Sequence, residues 1–163
     1  MARIINTLYN KKYKDGKNNK NVKARASRSV GNIMNIMNIL NEVSLGQYHF
    51  VIGKLLRETI FLSSMLVNSE SWVNLTEADI ELLESVDRVL MRQILQVPKS
   101  TPIPSLYLEL GCAPIGFVIK SRRLMYLHHI LTRPDTELIS RVLDAQDKKP
   151  TKDDWLTSVK NDF

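Results

Sequence analysis

The chain has 163 residues, 44% apolar and 25% charged, with six glycines and six prolines, which suits one domain with a single core and excludes a disordered chain. Its net charge of +6 is unevenly placed: residues 1–28 hold nine Lys or Arg against one acid, Asp15, while the rest of the chain carries 14 basic and 16 acidic residues. The single cysteine, Cys112, excludes an internal disulfide framework and fits a reducing compartment, so an intracellular setting, nucleus or cytoplasm, is expected. No apolar run is long enough to span a membrane, and residues 1–12 lack the apolar stretch of a secretory signal, so no membrane partner is expected.

Residues 1–20 read as a basic arm, and Asp15-Gly16 after Tyr13 carries the signal of a short hairpin. From Asn21 the pattern turns helical: Val22, Ala26, Val30, Ile33, Met37 and Leu40 recur at steps of four and three, and Ile36, Ile39 and Val43 widen the stripe. Gly31 lies inside this helix, at a cost of about 1 kcal/mol against alanine. Residues 47–68 predict a second helix. Its Leu55, Leu56, Ile60, Phe61, Leu62, Met65, Leu66 and Val67 leave no wide polar face, so other elements should surround it. A polar corner follows. Thr76 and Asp79 then form a capping-box-like start to an amphipathic helix reaching Leu95, with Ile80, Leu83, Val86 or Asp87, Leu90 and Ile94 inward.

Pro98, Pro102 and Pro104 bar continuation. A short helix over 105–110 should stop at Gly111, and another should run from about Pro114 to Leu131, burying Ile115, Val118, Ile119, Leu124, Met125, Leu127 and Leu131. Residues 135–146 predict a helix burying Leu138, Ile139, Val142 and Leu143. Thr151 and Asp154 cap a last segment, 152–162, whose Trp155 and Val159 have little to bury against. Met34, Met37, Met65 and Met125 read as core filler. The fold class is all-α: an irregular bundle of six or seven helices with a basic N-terminal arm or short hairpin.

The residues that carry chemistry are mostly basic. Lys11, Lys12, Lys14, Lys17, Lys20, Lys23, Arg25 and Arg28 make either a solvated arm or a set of contacts to phosphate backbones, without sequence specificity. Arg122 and Arg123 diverge on their helix, so one can pair with an internal carboxylate while the other meets a phosphate. Trp72 reads as a core anchor before a base-stacking platform. His128 and His129 point about 100° apart, which does not suit shared chelation. Asp153-Asp154, the one adjacent acidic pair, reads as cap and surface charge, and Cys112 as a small buried hydrophobe. No catalytic residue, metal ligand or cofactor site is expected.

Several strings resemble the region after the polymerase palm in non-LTR (LINE-like) retrotransposon reverse transcriptases. They are Leu55-Leu56-Arg57, Asn68-Ser-Glu-Ser-Trp72, Leu75-Thr76, Leu83-Glu84-x-Val86-Asp87, Arg92-x-Ile94-Leu95, Pro98-Lys-Ser-Thr-Pro102, Leu106-Tyr-Leu-Glu-Leu-Gly111, Pro114 and Arg122-Arg123-Leu124-x-Tyr126-Leu127-His128, with residues 15–31 upstream. The similarity covers roughly residues 15–163. It implies that residues 21–131 are a helical thumb, that 132–163 begin a C-terminal connection, and that the partner is an RNA or DNA duplex gripped without sequence preference. The fingers and palm would precede residue 1. The Tyr/Phe-x-Asp-Asp turn that supplies metal-holding carboxylates in that family is missing from this sequence, so no catalysis is expected of this chain alone. The alternative expectation is a helical protein-interaction module with a basic tail, motivated by the apolar 55–67 helix.

Overall fold

The structure is a computed structural model and describes residues 20–42, 46–73, 75–151 and 154–162. The hairpin and most of the basic arm lie outside these residues. The described residues form seven helices and no strand. Helix α1 is Lys20–Glu42. Rod α2 starts as His49–Leu56, passes through a π-helical stretch, Arg57–Leu62, and ends in the turn Ser63–Met65. A 3₁₀ turn, Ser69–Ser71, leads to α3 (Glu77–Leu95), α4 (Ile103–Leu110), α5 (Ile115–Leu131), α6 (Leu138–Lys148) and α7 (Trp155–Lys160).

Helix α3 is the centre. It packs against α1, α2, α4 and α5, and buries Leu83, Val86, Leu90, Met91 and Ile94. Its start is the expected capping box: the Asp79 amide donates to the Thr76 hydroxyl at 3.2 Å, and the Thr76 amide donates to the Asp79 carboxylate at 3.2 Å. Its end is a Schellman motif, in which the Gln96 amide donates to the Gln93 carbonyl and the Val97 amide to the Arg92 carbonyl. The left-handed residue there is Gln96, at φ 55°. The same motif ends α4, with Gly111 at φ 57°, a conformation glycine adopts without steric cost.

The π-helical stretch changes the phase of α2. One additional residue per turn rotates the remainder of the rod, so Arg57, Phe61, Leu62 and Met65 all face the core. Before it, Gly53 lies against Ile94: a Cβ at Gly53 would stand 2.6 Å from the Ile94 Cγ2 atom. That close approach lets α2 and α3 pack nearly backbone to side chain.

Four sequence expectations are corrected. The 55–67 helix is not surrounded: Leu55, Ile60 and Val67 are exposed, because the inward set occupies one side only. On α5, Leu124, Met125 and Leu131 face solvent, while Ile115, Ile119, Arg123 and Ile130 face inward. Helix α6 buries none of its residues, and Leu138 and Val142 are exposed. Of the methionines read as core, Met65 is buried, whereas Met34 and Met125 are exposed.

A fifth correction concerns α7, which does have something to bury against. Leu156 and Val159 are buried, and the Trp155 indole donates to the Glu70 carbonyl at 2.7 Å, across 85 positions of sequence. Trp155 also meets the Tyr126 ring edge-on, with centroids 5.5 Å apart.

Candidate nucleic-acid interface

Helix α1 is amphipathic, and its two faces differ in kind. Val22, Ala26, Ile33, Ile36 and Leu40 are buried against α2 and α3. The opposite face presents Ala24, Ser27, Arg28, Gly31, Met34, Asn35 and Asn38 to solvent, with Lys23 and Ile39 at its edges. Apart from Met34 and Ile39 these side chains are small, neutral-polar or cationic, and the cations sit in the first turns. Among the described residues nothing lies within 4 Å of where a Gly31 Cβ would be, so no packing among them explains a glycine there. The helix thus offers a smooth, lightly basic surface on a rigid back.

The expected phosphate-binding residues of the N-terminal arm and α1 fall into four groups. Lys11, Lys12, Lys14 and Lys17 lie outside the described residues. Lys20 opens α1. Lys23 and Arg28 are exposed on it. Arg25 instead lays its guanidinium over the Trp72 ring, 5.1 Å from the centroid, so Trp72, half-buried against the core, supports the basic end of α1.

Arg122 and Arg123 point into the molecule. Arg122 donates to the Leu66 carbonyl at 2.7 Å and to the Ser69 hydroxyl at 3.3 Å, satisfying the end of the α2 rod. Arg123 is only 4% exposed; it donates to the Asp162 carboxylate at 2.9 Å and to the Trp72 carbonyl at 2.5 Å. Both guanidiniums are committed to acceptors within the chain. Their part in the site is to position it: Arg123 holds the Trp72 backbone, and the Trp72 ring seats Arg25.

Beneath this surface lies a buried ion pair. Arg57 Nε donates to one Asp87 oxygen at 2.7 Å and an Arg57 terminal nitrogen donates to the other at 2.6 Å, with side chains 2% and 0% exposed. Burial pushes the Asp87 carboxyl above its ordinary range, against the pull of Arg57. Burial also works against the Arg57 charge, but the hydrogen bonds and charge of Asp87 outweigh it and hold the guanidinium protonated. Next to the pair, Arg88 is held by Glu81 and Glu84, and Glu84 also accepts from the Gly116 amide at 3.3 Å.

The Tyr107 hydroxyl is buried without a hydrogen-bond partner among the described residues, and burial, with Glu84 and Asp87 nearby, pushes its pKa up to about 12. Burial likewise pushes the Cys112 thiol up, the opposite of what activates a nucleophile. Among the described residues no three His, Cys, Asp or Glu side chains converge where they could hold a metal ion. His129 accepts from Arg133 at 3.2 Å. Asp154 accepts from the Thr151 amide at 2.6 Å, but the last helix starts only at Trp155 and its N-cap, Asp154, makes no side-chain capping bond, so the expected cap by Thr151 is corrected. No single described helix is long and apolar enough to cross a membrane; α4 and α5 reach that composition only together, bent by 54°.

The Arg57–Asp87 pair is the feature sequence reasoning missed. Its signal was present: Asp87 falls in phase with Leu83 and Leu90 on the apolar stripe of α3, and Arg57 interrupts an apolar run. A charge on each of two apolar faces is the mark of a pair shared between them. No family model, curated protein or solved structure matches this chain.

Proposed function

We propose that this chain grips a nucleic-acid duplex through phosphate contacts made by the basic N-terminal residues and the exposed face of α1. The observation that carries the reading is the composition of that face. Lys23 and Arg28 supply charge, Ala24, Ser27 and Gly31 supply clearance, and Asn35 and Asn38 supply donors and acceptors for the sugar–phosphate backbone. A phosphate backbone needs a cation within reach and a helix surface low enough to approach, and this face offers both. Buried Arg57–Asp87 and the Arg123–Trp72–Arg25 relay keep the face in place. The resemblance to the thumb of non-LTR reverse transcriptases points the same way, and it puts bond formation in a palm rather than in these helices.

Gly31→Leu tests the reading without touching charge. It replaces the poorest non-proline helix former, so folding stability should rise by about 0.8 kcal/mol. Affinity for a primer–template duplex should nevertheless fall, because the new side chain stands where the backbone must approach. Unchanged affinity in a stabilised variant would reject α1 as the contact face.

A second reading, a helical protein-interaction module, draws on one observation. Tyr48, in the turn just before α2, and Val51 and Leu55 on its start are exposed at steps of three and four. In that case substitutions at these residues, and not at Lys23 or Arg28, would abolish partner capture.

A further inference from the structure

Helix α5 is apolar on two sides, and only one of them is covered by the described residues. Ile115, Ile119 and Ile130 face the core. The other side exposes Phe117 (69%), Leu124 (45%), Met125 (70%) and Leu131 (66%). Phe117, Leu124 and Leu131, together with exposed Ser121 and His128, fall on a strict heptad seam, and Met125 flanks it. Phe117, Ser121, Leu124, His128 and Leu131 alternate steps of four and three, the spacing at which one helix packs along another by inserting side chains between those of its neighbour. No Asp, Glu, Lys or Arg lies on the seam. The neighbouring basic residues do not oppose a partner either, since Lys120 donates to the Asp162 carbonyl at 3.1 Å and Arg122 and Arg123 point inward.

We propose that this seam is a self-association surface, on which α5 of a second copy packs antiparallel. Two features favour a second copy as the occupant. A face without fixed charge meets its own duplicate without like-charge repulsion, in a chain whose net charge is +6 and whose copies elsewhere repel. The seam is also complementary to itself in size when reversed. Antiparallel pairing sets small Ser121 opposite Leu124 of the second copy, and flat His128 opposite Phe117, each contact occurring twice about the two-fold axis. Three exposed apolar side chains per copy on the seam, flanked by Met125, make a small interface, so a weak dimer in the micromolar range is expected.

Sedimentation equilibrium of the full chain at high salt, without nucleic acid, tests the proposal. The wild type should show a reversible monomer–dimer equilibrium. Leu124→Lys and Ser121→Glu should each be monomeric while keeping the wild-type helical circular dichroism. An equimolar mixture of the two should dimerise again, because antiparallel pairing sets the new Glu against the new Lys. A wild type that stays monomeric at its highest soluble concentration overturns the proposal and leaves the seam to a different protein's helix. A dimer untouched by either substitution, or folded variants whose mixture stays monomeric, overturns it as well.

Discussion

Arg57 and Asp87 meet through two parallel hydrogen bonds of 2.7 and 2.6 Å in a position neither shares with water, joining the π-helical stretch of α2 to the middle of α3. The fork geometry satisfies both carboxylate oxygens at once, which is what makes a buried charge tolerable. It also fixes the rotation of α2 against α3, because a slip of one residue would leave two unpaired charges in the core.

Removing one partner should therefore cost far more than the pair itself is worth. Asp87→Ala is expected to destabilise the fold by about 3–5 kcal/mol, whereas the double replacement Arg57→Met with Asp87→Leu should recover most of that. Denaturant titration of the single and double variants measures the difference. A single variant within about 1 kcal/mol of wild type would show that the pair is not the lock between the two helices.

Gly53→Ala should destabilise by about 1–3 kcal/mol even though alanine is the better helix former. The reason is Ile94, whose Cγ2 atom stands 2.6 Å from the added methyl and which is itself buried among neighbours. Pairing the substitution with Ile94→Val, which removes the outer methyl but keeps Cγ2, should relieve little of the strain. Pairing it with Ile94→Ala should remove the clash. Thermal melts of the three variants rank these outcomes.

Tyr107 sets an alkaline limit on stability. Its folded pKa is raised to about 12, so the fold favours the neutral phenol. An unfolded tyrosine ionises near about 10. Between these values the folded chain keeps a proton that the unfolded chain has released, so stability falls as pH rises through that window and is unaffected by this group below it. Ultraviolet titration should show a late tyrosinate phase that is absent in Tyr107→Phe. That variant should be at least as stable as wild type at neutral pH, since the hydroxyl it removes is buried without a partner among the described residues.

The fold class was readable because most helices announce their ends. Thr76 with Asp79, Gly111 and Pro114 all mark boundaries found in the structure. Less legible was which side of each helix faces inward. Periodicity finds an apolar stripe but not its neighbour, and α5 carries two such stripes, of which the described residues cover only one. In α2 the π-helical stretch changes the phase midway, so a regular reading of residues 55–67 could not separate Phe61 from Ile60. Gln96 ends α3 in a left-handed conformation with no glycine to signal it. For the site, charge clustering marked the basic end of α1, yet adjacent Arg122 and Arg123 look alike in sequence whether they face phosphate or, as here, carbonyls and a carboxylate.

The most direct test is the salt dependence of binding to a primer–template duplex, compared between wild type and the Lys23→Glu, Arg28→Glu variant. If about four to six phosphates are engaged, log affinity should fall against log salt with a slope of about −4 to −5. The double substitution should weaken every duplex sequence alike and flatten the slope by about two. No measurable affinity at low salt, or an affinity indifferent to salt and to both substitutions, would contradict the account.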